Sequence, residues 1–83
     1  MITGEQFTGT LAPNQTQRWF TFNWNSAWHV VWYMMPTSTQ SVPEVKWSVA
    51  VQRADASHCT YWITATNLTA TTVTFEGRYA ILA

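Results

Sequence analysis

The sequence predicts a small all-β antiparallel domain, and three observations lead to this prediction. Apolar and polar residues alternate with a period of two along most of the chain, β-branched and aromatic residues are frequent, and turn-forming residues recur at fairly even intervals. No segment shows the 3.6-residue period of an amphipathic helix. We expect one β domain covering residues 1–83, with six to seven strands.

Two architectures fit such a set of strands. Each alternating strand can give one inward face to a core between two packed sheets, which favours a small antiparallel β-sandwich. A small closed β-barrel is the alternative. Residues 36–43, rich in Ser and Thr, form the longest loop and are expected to cross from one sheet to the other.

The first half of the chain predicts three strands. The first covers Glu5 to Leu11. The second has two alternating faces, with Arg18, Phe20, Phe22 and Trp24 on one and Trp19, Thr21 and Asn23 on the other. The third, Trp28 to Met35, is apolar on both faces and is expected to be a central strand covered on both sides.

The second half predicts a hairpin followed by a last strand. Residues 44–53 alternate most clearly, and we expect them to pair with residues 59–67. The apolar residues of the last two strands each share one face: Tyr61, Ile63 and Ala65 in the first, and Val73, Phe75, Tyr79 and Ile81 in the second. Gly77 interrupts the last strand, where a glycine marks a bulge or the close approach of another group. We expect the strand to bend there between two sheets, which would raise the strand count to seven.

The composition excludes some partners and favours others. Charged residues make up 10% of the chain and the formal net charge is zero, so the basic surface that phosphate backbones select is not expected, and neither is nucleic acid as a partner. Hydrophobic residues make up 47% and aromatic residues 16%, with six Trp. A small domain with so few charges is expected to cover part of its surface by forming a homo-oligomer.

Cellular location is not defined by the sequence. The N-terminus lacks the basic and apolar regions of a secretory signal, and no stretch reaches the roughly 20 apolar residues that span a bilayer. Cys59 is the only cysteine, so no intrachain disulfide can form. We expect a soluble chain without membrane insertion, either cytoplasmic or released without a classical signal.

The segment from Asn23 to Trp28 is the most suggestive of function. It places Trp24, Asn25 and Trp28 at a turn between two strands, where binding residues concentrate. A sugar ring needs a flat aromatic face for its C–H groups and amide or hydroxyl groups for its own hydroxyls, and Trp with Asn supplies both. The alternative interpretation is that both Trp side chains fill the end of a small core.

Three further residues are candidate ligand-binding residues. Trp62 and Trp19 each lie beside Thr residues on a strand face, where an aromatic ring serves as a ligand platform, a subunit contact or a packing partner. Arg78 can donate several hydrogen bonds to a ligand, or it can form an ion pair with Glu76 on the same face.

The residue types that carry catalysis or bind metals are sparse. His29, His58 and Cys59 are the soft metal ligands, and their spacing matches no zinc pair, so no metal site or cofactor is expected. Asp55 and Ser57 lie near His58 in one turn, but a turn does not hold a nucleophile against a base as a catalytic triad requires. We therefore expect no enzymatic activity.

These observations favour a non-catalytic, lectin-like carbohydrate-binding module that gains avidity through homo-oligomerisation. One alternative is a structural, self-assembling protein whose Trp-rich faces are subunit interfaces. A second alternative is a protein-binding adaptor or inhibitor that uses residues 36–43 or a free strand edge. In composition and pattern the chain resembles small bacterial β-sandwich modules.

Overall fold

A computed structural model, which describes residues 1–82, shows six antiparallel strands. The strands are β1 (Ile2–Leu11), β2 (Thr16–Asn25), β3 (His29–Pro36), β4 (Val45–Arg53), β5 (His58–Asn67) and β6 (Val73–Leu82). They form two three-stranded sheets in the orders β1-β6-β3 and β2-β5-β4, which we call the β6 sheet and the β5 sheet after their central strands. The predicted β-sandwich is confirmed, and the sheets do not close into a barrel. Within residues 1–82 no helix is long and apolar enough to span a membrane.

The core lies between the two sheets and follows the period-two alternation of the central strands. Tyr61, Ile63 and Ala65 of β5 are buried, as are Val73 and Phe75 of β6. The predicted pairing of β4 with β5 as a hairpin is also confirmed, and it runs from Val45↔Asn67 to Arg53↔Cys59 without a register shift. The inward faces of both central strands therefore agree with the sequence pattern.

Four aromatic rings fill one end of this core. Trp24 lies 5.0 Å from Tyr79 and 5.3 Å from Trp32, edge to face in both pairs, and 6.0 Å from Tyr61. Each such pair contributes about 0.5–1.5 kcal/mol beyond the area it buries. Burial among these rings raises the pKa of Tyr61 to about 12. Large rings thus supply the burial that a chain of this length cannot obtain from many residues.

Gly77 differs from the prediction in one respect. β6 is one continuous strand that pairs with β1 on one side and β3 on the other, so it does not bend into the second sheet and the strand count is six. The Phe7 ring occupies the space that a Cβ at position 77 would take. The bulge lies opposite, on β1, where the register shifts between Glu5 and Phe7. The close approach is therefore confirmed, and the bend is wrong.

The position predicted for the third strand is also wrong. β3 is the edge strand of the β6 sheet rather than a strand covered on both sides. Its inner residues Trp32 and Met34 are buried, whereas Val31 and Tyr33 on the outer face are each half exposed. An apolar run indicates that burial is possible on both faces, but only the strand order decides whether a second layer covers the outer one. The loop after β3 does cross to the β5 sheet, as expected.

A single buried amide connects the turns at the other end of the sandwich. The Nδ2 group of Asn67 donates to the carbonyl oxygens of Thr71 at 2.7 Å and of Leu11 and Ala12 at 3.1 Å each. Its Oδ1 accepts from the backbone N–H and the hydroxyl of Thr69, both at 2.8 Å. Asn67 is 1% exposed, so water cannot reach the backbone groups around it. The hydrogen bonds of its side chain satisfy these groups instead.

We expect Asn67→Ala to destabilise the fold by about 3 kcal/mol, because several buried and partly buried backbone groups would lose their partner at once. The free energy of unfolding, measured by urea titration, tests this value. Leu68→Ala, at the neighbouring exposed position, is the matched control and should cost less than about 1 kcal/mol. Equal losses in the two variants would contradict the role given to Asn67.

Candidate functional site

The candidate site depends on an irregularity in β2. Pairing of β2 with β5 shifts register between Thr21 and Trp24, and Asn23 has a positive φ of 63°. A bulge of this kind inserts one extra residue and re-aims the side chains that follow it. Arg18 and Phe20 precede the bulge and lie on the outer face of the β5 sheet, whereas Trp24 follows it and is buried in the core. The sequence pattern placed Trp24 on the face of Phe20, and this assignment is wrong.

A hydrogen bond links the two inward residues that flank the bulge. The Trp24 Nε1 donates to the Thr21 hydroxyl at 2.8 Å, and both side chains are buried. Thr21 and Trp24 are three residues apart, which in a regular strand would put them on opposite faces. The bulge therefore lets both of them face the core while the Phe22 ring between them remains outside.

Three aromatic rings lie together on the outer face of the β5 sheet, and we call Phe20, Phe22 and Trp62 the aromatic face. The centroid of the Phe20 ring is 6.1 Å from that of Phe22 and 5.1 Å from that of Trp62, with interplanar angles of only 31° and 33°. Phe20 is 59% exposed and Phe22 is 61% exposed. The three rings thus form one apolar cluster, in which Phe20 and Phe22 stay more than half exposed within residues 1–82.

Polar groups border the aromatic face. The Arg18 guanidinium lies 4.8 Å from the centroid of the Trp62 ring, in a cation–π contact, and the Trp62 Nε1 donates to Gln52 Oε1 at 3.0 Å. These two contacts fix the indole on both sides. Thr64 pairs with Arg18 across β2 and β5, so the two side chains are neighbours on this face. Lys46 of β4 is the other charged residue on the same face.

A cleft opens next to the aromatic face, at the free edge of β2. It has a volume of about 220 Å³, and its lining includes the half-buried Trp19 together with the rings of Phe20 and Phe22. Trp19 faces inward from β2, stacks on Phe7 at 5.5 Å and meets Phe75 edge to face at 5.3 Å. Of the six residues singled out in the sequence, Trp62 and Trp19 are therefore the two that border this site.

The segment Asn23 to Trp28 lies elsewhere, at the end of the sandwich. Trp24 is in the core, as the alternative interpretation of this segment expected, and Trp28 meets it edge to face at 6.4 Å while remaining exposed. Asn25 uses its side-chain oxygen to accept from the backbone N–H of Ala27 at 2.9 Å, which stabilises the turn. The turn therefore offers a ligand only one exposed ring.

Arg78 lies on the outer face of the β6 sheet, on the opposite side of the molecule from the aromatic face. It donates to Glu76 Oε1 at 2.8 and 2.9 Å, and this ion pair holds the pKa of Glu76 below its usual value. A shallow depression of about 510 Å³ there is also lined by Glu5 and Tyr33. Two of the charged groups in this depression, Arg78 and Glu76, are paired with each other. The one aromatic ring there that is half exposed belongs to Tyr33, and this ring lies 5.0 Å from that of Trp47.

The turn between β4 and β5 brings together Asp55, Ser57 and His58. Asp55 Oδ1 and the Ser57 hydroxyl lie 3.1 and 3.2 Å from the same His58 nitrogen, Nδ1. A catalytic triad needs the acid and the nucleophile on different ring nitrogens, so this cluster cannot pass a proton between them. Hydrogen bonds from the Ser57 backbone and from His58 lower the pKa of Asp55 and make it a turn-forming residue. Within residues 1–82 no group of three or more His, Cys, Asp and Glu side chains could hold a metal ion.

Phe20, Phe22, Arg18 and Gln52 were not identified as site residues from the sequence. The signal that could have revealed them is the alternation in β2 itself, because both faces carry large aromatic residues and only one can face the core of a two-layer sandwich. Comparisons with known proteins add no independent guide, since the chain matches no protein-family model, no curated protein and no solved structure.

We expect Asn23→Val to destabilise the protein by about 1–2 kcal/mol, because a β-branched residue disfavours the positive φ of the bulge. Asn23→Gly is the matched control and should leave stability nearly unchanged, since glycine adopts this conformation without a Cβ penalty. Thermal unfolding of the two variants measures the difference. Equal stability would argue against a bulge centred on this residue.

Proposed function

We propose that the protein is a non-catalytic, lectin-like carbohydrate-binding module and that the aromatic face is its ligand platform. The observation that supports this most strongly is the exposure of Phe20 and Phe22, each about three-fifths accessible, beside Trp62. Exposed apolar side chains that lie together, rather than scattered, typically mark a surface that binds something.

The exposed ring surfaces favour a ligand with an apolar side. Phe20 and Phe22 are adjacent and both mostly exposed, so a pyranose ring can place its C–H groups against their exposed surfaces. Trp62, fixed by Arg18 and Gln52, extends the platform across the sheet. Rings that are held before the ligand arrives lose little conformational freedom on binding.

The bordering groups fit the polar side of a sugar. Arg18 and Gln52 offer N–H donors, Gln52 and Thr64 offer oxygen acceptors, and each can reach hydroxyls at the rim of a stacked ring. The strands direct two cations, Arg18 and Lys46, and no carboxylate to this face. A face with two cations and no carboxylate can bind neutral saccharides and also saccharides that carry a carboxylate or sulfate.

The expected result is that Phe20→Ala and Trp62→Ala each weaken binding at least about tenfold, which corresponds to about 1.4 kcal/mol. Isothermal titration with a panel of neutral hexose, pentose and N-acetylhexosamine oligosaccharides, together with uronic acid oligomers, provides the measurement. Phe20 is exposed, so its replacement should leave the fold intact, as circular dichroism can verify.

Two variants serve as controls for the location of the site. Trp28→Ala and Arg78→Ala change the other candidate positions and should bind the same oligosaccharides as the unaltered protein. No binding to any member of the panel would refute the proposal. Loss of binding in Trp28→Ala alone would move the site to the turn between β2 and β3.

A further inference from the structure

The sandwich has four edge strands, and they differ in how well their free edges are protected. β1 and β2 each contain a bulge, which bends a strand and opposes pairing with another chain. β3 ends in Pro36, which has no N–H to donate. β4 contains neither a bulge nor a proline nor a glycine over its nine residues. Of the four edge strands in residues 1–82, it is the one with neither a bulge nor a proline.

The side chains of β4 show a second unusual feature. Val49 and Val51 share the inward face of the β5 sheet with Ile63 and Tyr61, yet they are 42% and 66% exposed. Trp47 on the same face is half-buried. A regular edge with an uncovered apolar face is the arrangement that favours addition of another strand.

We propose that β4 pairs antiparallel with β4 of a second copy of this chain, about a two-fold axis through Val49, to form a continuous six-stranded sheet. In antiparallel pairing about such an axis, each residue lies opposite a partner residue whose side chain is on the same face of the sheet. The apolar face of one copy therefore continues into the apolar face of the other. Centring the axis on Val49 is the choice that pairs all nine residues of β4.

The residues of β4 are complementary to themselves in this register. Trp47 lies opposite the partner's Val51, and the two copies of Val49 face each other, which covers the exposed apolar strip. Lys46 lies opposite the partner's Gln52, so no like charges are opposed. Arg53, at the end of the strand, is already bound within its own chain, to the Ser26 hydroxyl at 3.2 Å and the Ala56 carbonyl at 2.8 Å.

The dimer would also determine how the aromatic faces are displayed. The axis is perpendicular to the sheet, so both aromatic faces point in the same direction. Three strand spacings separate the two copies of β5, which places the two Trp62 residues about 14 Å apart across the sheet. The dimer itself does not depend on carbohydrate binding, but this consequence, a bivalent surface for a repeating glycan, rests on the proposed function.

Sedimentation velocity over a concentration series tests the dimer. The unaltered protein should approach twice its 9.5 kDa mass as concentration rises. Val49→Lys should remain a monomer, because it places two ammonium groups opposite each other on the axis. Val31→Lys introduces the same charge at an exposed position of the β3 edge and should still form the dimer.

A second variant avoids reliance on Val49→Lys folding normally. Val49→Cys, treated with oxidised glutathione, should give a disulfide-linked dimer, because opposed Cα atoms in an antiparallel pair lie within disulfide range. Val31→Cys should not form one. The native Cys59 is buried and should not contribute.

Three outcomes would overturn the proposal. The first is an unaltered protein that stays monomeric up to about 1 mM, which is the weak end of specific association. The others are a Val49→Lys variant that still dimerises and a Val31→Lys variant that does not.

Titration with a monosaccharide and with an oligosaccharide separates the dimer proposal from the carbohydrate-binding proposal. If both hold, Val49→Lys should bind a monosaccharide as before and lose the avidity for the oligomer. A dimer that binds no sugar would refute the carbohydrate proposal alone.

Discussion

The arrangement of the candidate site depends on the bulge in β2 and on the hydrogen bond from Trp24 to Thr21 that accompanies it. The extra residue, Asn23, lets two inward side chains lie three positions apart, so the Trp24 indole enters the core with its N–H satisfied at 2.8 Å. Without the bulge, Trp24 would lie on the outer face with Phe20 and Phe22, and the aromatic cluster between the sheets would lose its central ring. One local irregularity thus divides the aromatic residues of β2 between core and surface.

That division explains how so short a chain holds both a packed interior and an exposed aromatic surface. Trp24 contacts Trp32, Tyr61 and Tyr79, and these contacts join strands of both sheets. At the other end, Asn67 connects the β1–β2 turn to the β5–β6 loop with a fully bonded amide. These contacts hold both ends of the sandwich, and between them the paired strands of the β5 sheet carry Phe20, Phe22 and Trp62, as the proposed ligand platform requires.

The sequence predicted the fold class, the β4–β5 hairpin and the inward faces of β5 and β6, because regular alternation determines side-chain direction within a strand. It did not predict the faces of β2 after residue 21, since a bulge depends on pairing with β5 and leaves little trace in composition. It also misplaced β3, because a run apolar on both faces does not reveal the strand order. The alternation of β5 predicted that Trp62 shares a face with Thr residues, and that face is the outer one. The alternation of β2 did not predict the exposure of Phe20 and Phe22, because aromatic residues stand on both of its faces and the pattern alone does not show which face is outward.

The most direct test of the aromatic face is a two-dimensional NMR spectrum of the six indole N–H groups, recorded during titration with an oligosaccharide from the panel and assigned with single Trp→Phe variants. The Trp62 signal should shift progressively and saturate, because its ring is part of the proposed platform, while the signals of the buried Trp24 and Trp32 and of the exposed Trp28 should stay in place. A saturable shift of the Trp28 signal with Trp62 unchanged would show that the ligand binds at the end of the sandwich, and it would contradict the site described for the outer face of the β5 sheet.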